Sequence, residues 1–131
     1  MAETSRTALV VDDESTTRDF LRAILASIDW KVIEAPDGAT ALKLAEEQKP
    51  QLILLDVQMP GESGFSTFAN LRENSATAEI PVVMVTGVAE KTGIKFSGKE
   101  MGEFIGKEPN AYLEKPVDPE VLKSTVASVC P

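Results

Sequence analysis

Four apolar runs in this chain stop on polar residues. Ala8-Leu9-Val10-Val11 runs into Asp12-Asp13, and Gln51-Leu52-Ile53-Leu54-Leu55 into Asp56. Pro81-Val82-Val83-Met84-Val85 ends at Thr86, and Ala111-Tyr112-Leu113-Glu114 at Lys115, with Pro116 next. Three carboxylates, a hydroxyl and an ammonium are a set suited to holding a phosphoryl group. Converging carboxylates repel one another, and a hard divalent cation such as Mg²⁺, which takes oxygen ligands, resolves that repulsion. By position, Asp13 and Asp56 are the direct carboxylate ligands. An ionised aspartate is also a competent nucleophile for phosphorus, giving an acyl phosphate. Phosphoryl transfer then needs mainly positioning and charge: Lys115 for one phosphoryl oxygen and the Thr86 hydroxyl for another. Lysine suits that task as a compact charge on a long stem.

Such a set requires elements that bring four strand ends to one edge. The Leu/Ile run bounded by Pro50 and Pro60 reads as a short strand buried on both faces. Strand and helix patterns alternate five times, the signature of parallel βα units. The expected fold is α/β, a doubly wound five-stranded parallel sheet. In such sheets, sites lie at the carboxyl ends of the strands. Ser15 reads as the cap of a first helix carrying Phe20, Leu21, Ile24, Leu25 and Ile28 at helical spacing. Trp30–Ala35 reads as a short second strand near an edge. Asp37 caps a helix with Ala41, Leu42, Leu44 and Ala45 inward, and Pro50 stops it. Ser63 precedes a helix carrying Phe65, Phe68 and Leu71. Asp118-Pro119-Glu120 is a helix start with the aspartate as cap and proline at the first position. Leu122, Val126 and Val129 line one face of that last helix.

In this order and spacing, Asp12-Asp13, Asp56 with Met59-Pro60 and Gly64, Thr86, and Lys115-Pro116 closely resemble a response-regulator receiver domain. This is the phosphoacceptor half of two-component signalling, and the resemblance runs from about Ala8 to Val129. It implies the flavodoxin-like (βα)5 fold with strand order 2-1-3-4-5. It implies phosphorylation at Asp56 by a partner histidine kinase, a phosphotransfer protein or a small phospho-donor, followed by slow hydrolysis. It adds the backbone carbonyl of Gln58 to the metal ligands and has Asp12 act mainly through water. It also implies a cis peptide before Pro116, and a switch in which Thr86 moves inward and Tyr112 follows. The chain is then a signalling receiver that catalyses only its own phosphorylation and dephosphorylation.

Composition agrees with that class. The 131 residues suit one domain, with its core at about residues 7–129. The net charge of −8 argues against direct nucleic-acid binding, which needs a basic footprint. The lone Cys130 excludes an internal disulfide and fits a reducing, cytoplasmic location. Neither a signal-peptide pattern nor a membrane-length apolar run is present. Histidine is absent, so any phosphohistidine donor is another molecule. These residues leave no room for an output domain.

Each polar residue taken singly has a plainer reading. Asp12-Asp13-Glu14 could stabilise a helix N-terminus, Asp56 could be a cap, Thr86 a strand end, Lys115 a solvated charge and Tyr112 a half-buried strand aromatic. The conjunction favours the phosphoryl set. A receiver fold used only for interaction would need a broken acidic pocket. A haloacid-dehalogenase-type hydrolase would need Asp-x-Asp after the first strand, where Asp12-Asp13 stands. A flavodoxin-type redox protein would need a phosphate-binding loop there. One segment departs from the family: 29 positions separate Thr86 from Lys115, and five of the eight glycines lie between them. Residues 87–110 are therefore read as a divergent segment. It comprises a long loop, Gly87 to Phe96, and a short helix beginning near Ser97, which together could form a partner surface rich in lysine.

Overall fold

The computed structural model describes residues 6–59, 62–86, 111–115 and 117–130. The sequence-derived loop and short helix in residues 87–110 and the peptide before Pro116 lie outside the described residues. In chain order the elements are β1 (Arg6–Val11), α1 (Ser15–Ala26), β2 (Trp30–Ala35), α2 (Gly38–Gln48) and β3 (Leu52–Asp56). They continue with β4 (Gln58–Met59), β5 (Glu62–Ser63), α3 (Gly64–Glu73), β6 (Val82–Thr86), β7 (Ala111–Glu114) and α4 (Pro119–Val129). Five strands form one parallel sheet in the order β2-β1-β3-β6-β7. This is the expected 2-1-3-4-5 order, with β2 at an edge. The two-residue strands β4 and β5 pair antiparallel, Gln58 opposite Ser63, and were not foreseen.

The sheet separates two cores because successive strand residues point to opposite faces. Leu9, Val11, Ile53, Leu55 and Met84 pack on one face with Ala41, Ala45, Phe68 and Leu71 of α2 and α3. Ala8, Val10, Leu52, Leu54, Val83 and Val85 pack on the other with Leu21, Ile24 and Leu25 of α1 and Leu122 and Val126 of α4. All five residues of β3 are buried, as expected of a central strand covered on both faces.

Local sequence explains the helix ends. Asp37 Oδ1 accepts from the Thr40 N–H at 2.8 Å and starts α2. That contact holds the Asp37 carboxyl below its ordinary range. Lys49, in the left-handed region with φ 47°, ends α2 one residue before Pro50. Asp118 Oδ1 accepts from the N–H groups of Glu120 and Val121 at 2.8 and 3.3 Å, with Pro119 at the first helical position.

Two details of α1 differ from expectation. Ser15 is its first helical residue; the cap position belongs to Glu14, whose side chain makes no capping bond. The Glu14 N–H instead donates to Asp12 Oδ1 at 2.9 Å, so the turn is organised around the aspartate. Phe20 does not join the core. It is 44% exposed, while Leu21, Ile24 and Leu25 are buried. These three cover the stripe facing the sheet, which leaves Phe20 on its outer flank. No helix among the described residues is long and apolar enough to cross a membrane.

Candidate phosphoryl and metal site

Parallel register brings the strand ends together. Val11 lies opposite Leu55, Asp56 opposite Val85, and Thr86 opposite Glu114. Asp12, Asp56, Thr86 and Lys115 therefore occupy one edge of the sheet. Val10, Leu54 and Leu113 belong to the same core face, and Asp12, Asp56 and Lys115 each come two residues later. Two-residue periodicity continues that facing just beyond the apolar part of each strand.

Three side chains meet there. Lys115 Nζ lies 3.0 Å from Asp12 Oδ2 and 3.3 Å from Asp56 Oδ1. Both aspartates are buried, at 1% and 3% exposure, whereas Asp13 is exposed. One carboxylate oxygen from each of Asp12, Asp13 and Asp56 falls within 4.8 Å of the others. Asp12 Oδ1 takes the Glu14 N–H. Oδ2 is buried without a hydrogen bond, although its charge is met by the Lys115 ammonium. Burial lowers the pKa of Lys115, but contacts with Asp12 and Asp56 outweigh it, so the ammonium titrates above its ordinary value. Two buried carboxylates sharing one lysine, with a third carboxylate at the surface, fit a hard cation that takes oxygen ligands and keeps part of its water.

The backbone around Asp56 explains why Gly64 follows it. The Gly64 N–H donates to the Val57 carbonyl at 2.7 Å. A Cβ on Gly64 would fall 2.1 Å from the Asp56 carbonyl oxygen and 2.8 Å from Val57 Cα. Only glycine lets α3 begin this close to the end of β3. Gln58 begins β4, two residues after Asp56. Thr86 is the last residue of β6. Tyr112 is partly buried against the core shared by α2 and α3.

Sequence reasoning missed the support behind Asp12. Arg18 Nη1 donates to the Asp12 carbonyl at 2.7 Å, and Arg18 Nε donates to Glu34 Oε1 at 2.9 Å. Arg22 Nη2 lies 3.2 Å from Glu34 Oε2. The available signal was opposite charge: two arginines one helical turn apart, and a glutamate next to the last residue of the neighbouring strand. Beside the site, a shallow groove of about 210 Å³ runs past Thr16, Thr17, Phe20, Lys115 and Val117.

A parallel sheet in this order, with acidic residues and a lysine at its carboxyl edge, defines an open α/β domain whose candidate site lies at the strand ends. The chain matches the response regulator receiver domain family over residues 8–127, and it belongs to that family. It is therefore a receiver domain of two-component signalling. It is 36% identical to protein PilH of Pseudomonas aeruginosa over 121 residues, which cover 92% of this chain and 94% of PilH. It is 37% identical to the response regulator PleD of Caulobacter vibrioides over 121 residues, 92% of this chain but only 25% of PleD. Among solved structures, the Vibrio cholerae chemotaxis protein CheY4 superposes with a TM-score of 0.81 at 28% identity, covering 96% of this chain and 99% of CheY4.

Proposed function

We propose that this receiver accepts a phosphoryl group on Asp56 in a Mg²⁺-dependent transfer and releases it by slow hydrolysis. The observation that carries this reading is the meeting of buried Asp12 and Asp56 on Lys115, with Asp13 completing a three-carboxylate cluster. In the transfer, an Asp56 carboxylate oxygen attacks phosphorus. The phosphorus–nitrogen bond to a partner's histidine breaks, or the phosphorus–oxygen bond of a small acyl phosphate. The histidine ring or the donor's carboxylate leaves with the electron pair. In the discharging step, water attacks phosphorus, the bond between phosphorus and the Asp56 carboxylate oxygen breaks, and the carboxylate leaves with the electron pair, releasing inorganic phosphate.

Asp13 and Asp56, with the Gln58 carbonyl, would hold the metal, and Asp12 would act through water. Bound Mg²⁺ would supply a Lewis acid for a phosphoryl oxygen. Lys115 now neutralises Asp12 and Asp56. Once Asp56 carries the phosphoryl group, the same ammonium pairs with a phosphoryl oxygen, and the Thr86 hydroxyl donates to another. The shift in those two contacts is the origin of a switch through Thr86 and Tyr112. The protein acts on no separate substrate. Its partners are a histidine kinase or phosphotransfer protein and a downstream target. A donor would approach along the groove beside Lys115 and Phe20.

The test is labelling with a small acyl-phosphate donor, with and without Mg²⁺, followed by borohydride trapping and mass spectrometry. The expected result is a single Mg²⁺-dependent modification at Asp56 that is lost in Asp56→Asn. Undiminished label in Asp56→Asn, or label that ignores Mg²⁺, contradicts the proposal.

A further inference from the structure

We propose that Arg18 is a positioning residue for the metal-binding turn, acting through the backbone of Asp12 and held in place by Glu34. The inference rests on the metal-dependent reading of the site given above. Arg18 is the fourth residue of α1, with its side chain 16% exposed. Its guanidinium is divided between two acceptors on different elements: the Asp12 carbonyl at 2.7 Å and Glu34 Oε1 of β2 at 2.9 Å. Arg22 Nη2, 3.2 Å from Glu34 Oε2, steadies that glutamate from its other oxygen. The Asp12 N–H is fixed as well, donating to the Ala35 carbonyl at 3.1 Å.

The Asp12 carbonyl belongs to the peptide unit that carries Asp13. That unit is planar, so holding its oxygen fixes where the Asp13 nitrogen and Cα lie and the axis about which the Asp13 side chain turns. Asp13 is exposed. Its carboxylate lies within 4.8 Å of those of Asp12 and Asp56, and the backbone that Arg18 grips is what carries it there. A fork of two fixed N–H directions suits this, since a planar guanidinium binds two acceptors at a set angle where an ammonium does not. Glu34 has a second effect: it neutralises a cation that would otherwise oppose Mg²⁺ a few residues away. Groups that orient metal ligands without touching the metal commonly change affinity by about 10–100-fold when removed.

The sign of the effect makes the proposal testable. Deleting a cation near an acidic site, with nothing else changed, tightens Mg²⁺ binding. Deleting the grip on the Asp12 carbonyl weakens it. Calorimetric titration of the whole chain with MgCl₂ at fixed ionic strength should show Arg18→Ala binding about tenfold more weakly than the parent. At saturating Mg²⁺, its rate of Asp56 labelling by a small acyl phosphate should stay within about threefold, because the reacting groups are intact. Arg18→Lys keeps the charge and serves if Arg18→Ala folds poorly; it too should bind Mg²⁺ measurably more weakly, since the fork is gone. Arg18→Ala binding as tightly as the parent or tighter overturns the inference, as does Arg18→Lys indistinguishable from the parent. A parent chain that binds no Mg²⁺ overturns the phosphoacceptor reading as well; a parent that binds, with unaffected variants, overturns only the role of Arg18.

Discussion

The two ends of the parallel sheet treat their charges differently. At the amino-terminal edge, Arg6 Nη1 donates to the Cys130 carbonyl at 2.7 Å, and its guanidinium lies 5.5 Å from the Trp30 ring centroid. Gln51 bridges to Thr7 twice: its N–H reaches the Thr7 carbonyl at 2.8 Å, and its Oε1 accepts the Thr7 N–H at 2.8 Å. At that edge the arginine meets a neutral carbonyl and an aromatic face. At the carboxyl edge, two buried carboxylates share one lysine. Burying like charges is costly and persists where the charges are used. The contacts at the amino-terminal edge serve the fold, whereas the acidic edge is the one proposed to bind.

Breaking both edges tests that contrast. The largest expected difference is in Mg²⁺ binding. Asp13→Ala removes a proposed direct ligand and should weaken calorimetric Mg²⁺ affinity by more than about 100-fold, beyond the usual range for outer residues. Arg6→Ala, at the far edge, should leave it unchanged. Trp30 is a poor reporter for this titration. It pairs with Arg6 at the far end of β1, about 16 Å of strand from the site.

Gly64→Ala attacks the acidic edge through sterics. With a Cβ 2.1 Å from the Asp56 carbonyl, the start of α3 must move. Denaturant unfolding should show a loss of about 3 kcal/mol or more, with reduced labelling of Asp56.

Lys115→Ala should cost about 2 kcal/mol in Mg²⁺-free buffer, because Asp12 and Asp56 lose their counter-charge while the lysine's partial exposure limits the effect. Much of this loss should return on adding Mg²⁺, which should bind as tightly as in the parent or tighter. Linkage gives the pH dependence. The folded pKa of Lys115 is raised, so its contribution is fully present below the unfolded value of about 10.4. It is lost as pH rises through the folded value. Mg²⁺-free melts of the parent should therefore lose stability above about pH 10.4 by a component that Lys115→Ala lacks.

The smallest expected effects lie away from the site. Arg6→Ala should cost about 1 kcal/mol, for one hydrogen bond and a cation–aromatic contact, with Asp56 labelling unaffected. Lys49→Gly should gain less than about 1 kcal/mol. It relieves a left-handed backbone but increases the freedom of the unfolded chain. A loss on Lys49→Gly would show that its side chain contributes more than the backbone costs.

The sequence by itself determined the sheet and most of the edge. Short unbroken apolar runs bounded by proline or polar residues read as strands covered on both faces, and alternation with helical patterns made them parallel. A parallel sheet puts Asp12, Asp56, Thr86 and Lys115 at one end, and the two-residue period sets Asp12, Asp56 and Lys115 on one side of it. The caps at Asp37 and Asp118 were equally legible, because a cap is a local bond between near neighbours. Tertiary structure decided what depends on contact between distant segments. That Arg18 reaches both the Asp12 carbonyl and Glu34, and that Lys115 spans Asp12 and Asp56, follows from packing α1 and β7 onto the sheet. That Phe20 lies outside the core depends on which stripe of α1 the sheet accepts. Gly64 was visible as a motif residue, but its reason, a 2.1 Å approach to the Asp56 carbonyl, exists only once α3 folds back on β3. Local bonds and periodicity are written in neighbouring residues; distances across the fold are set by how the layers pack.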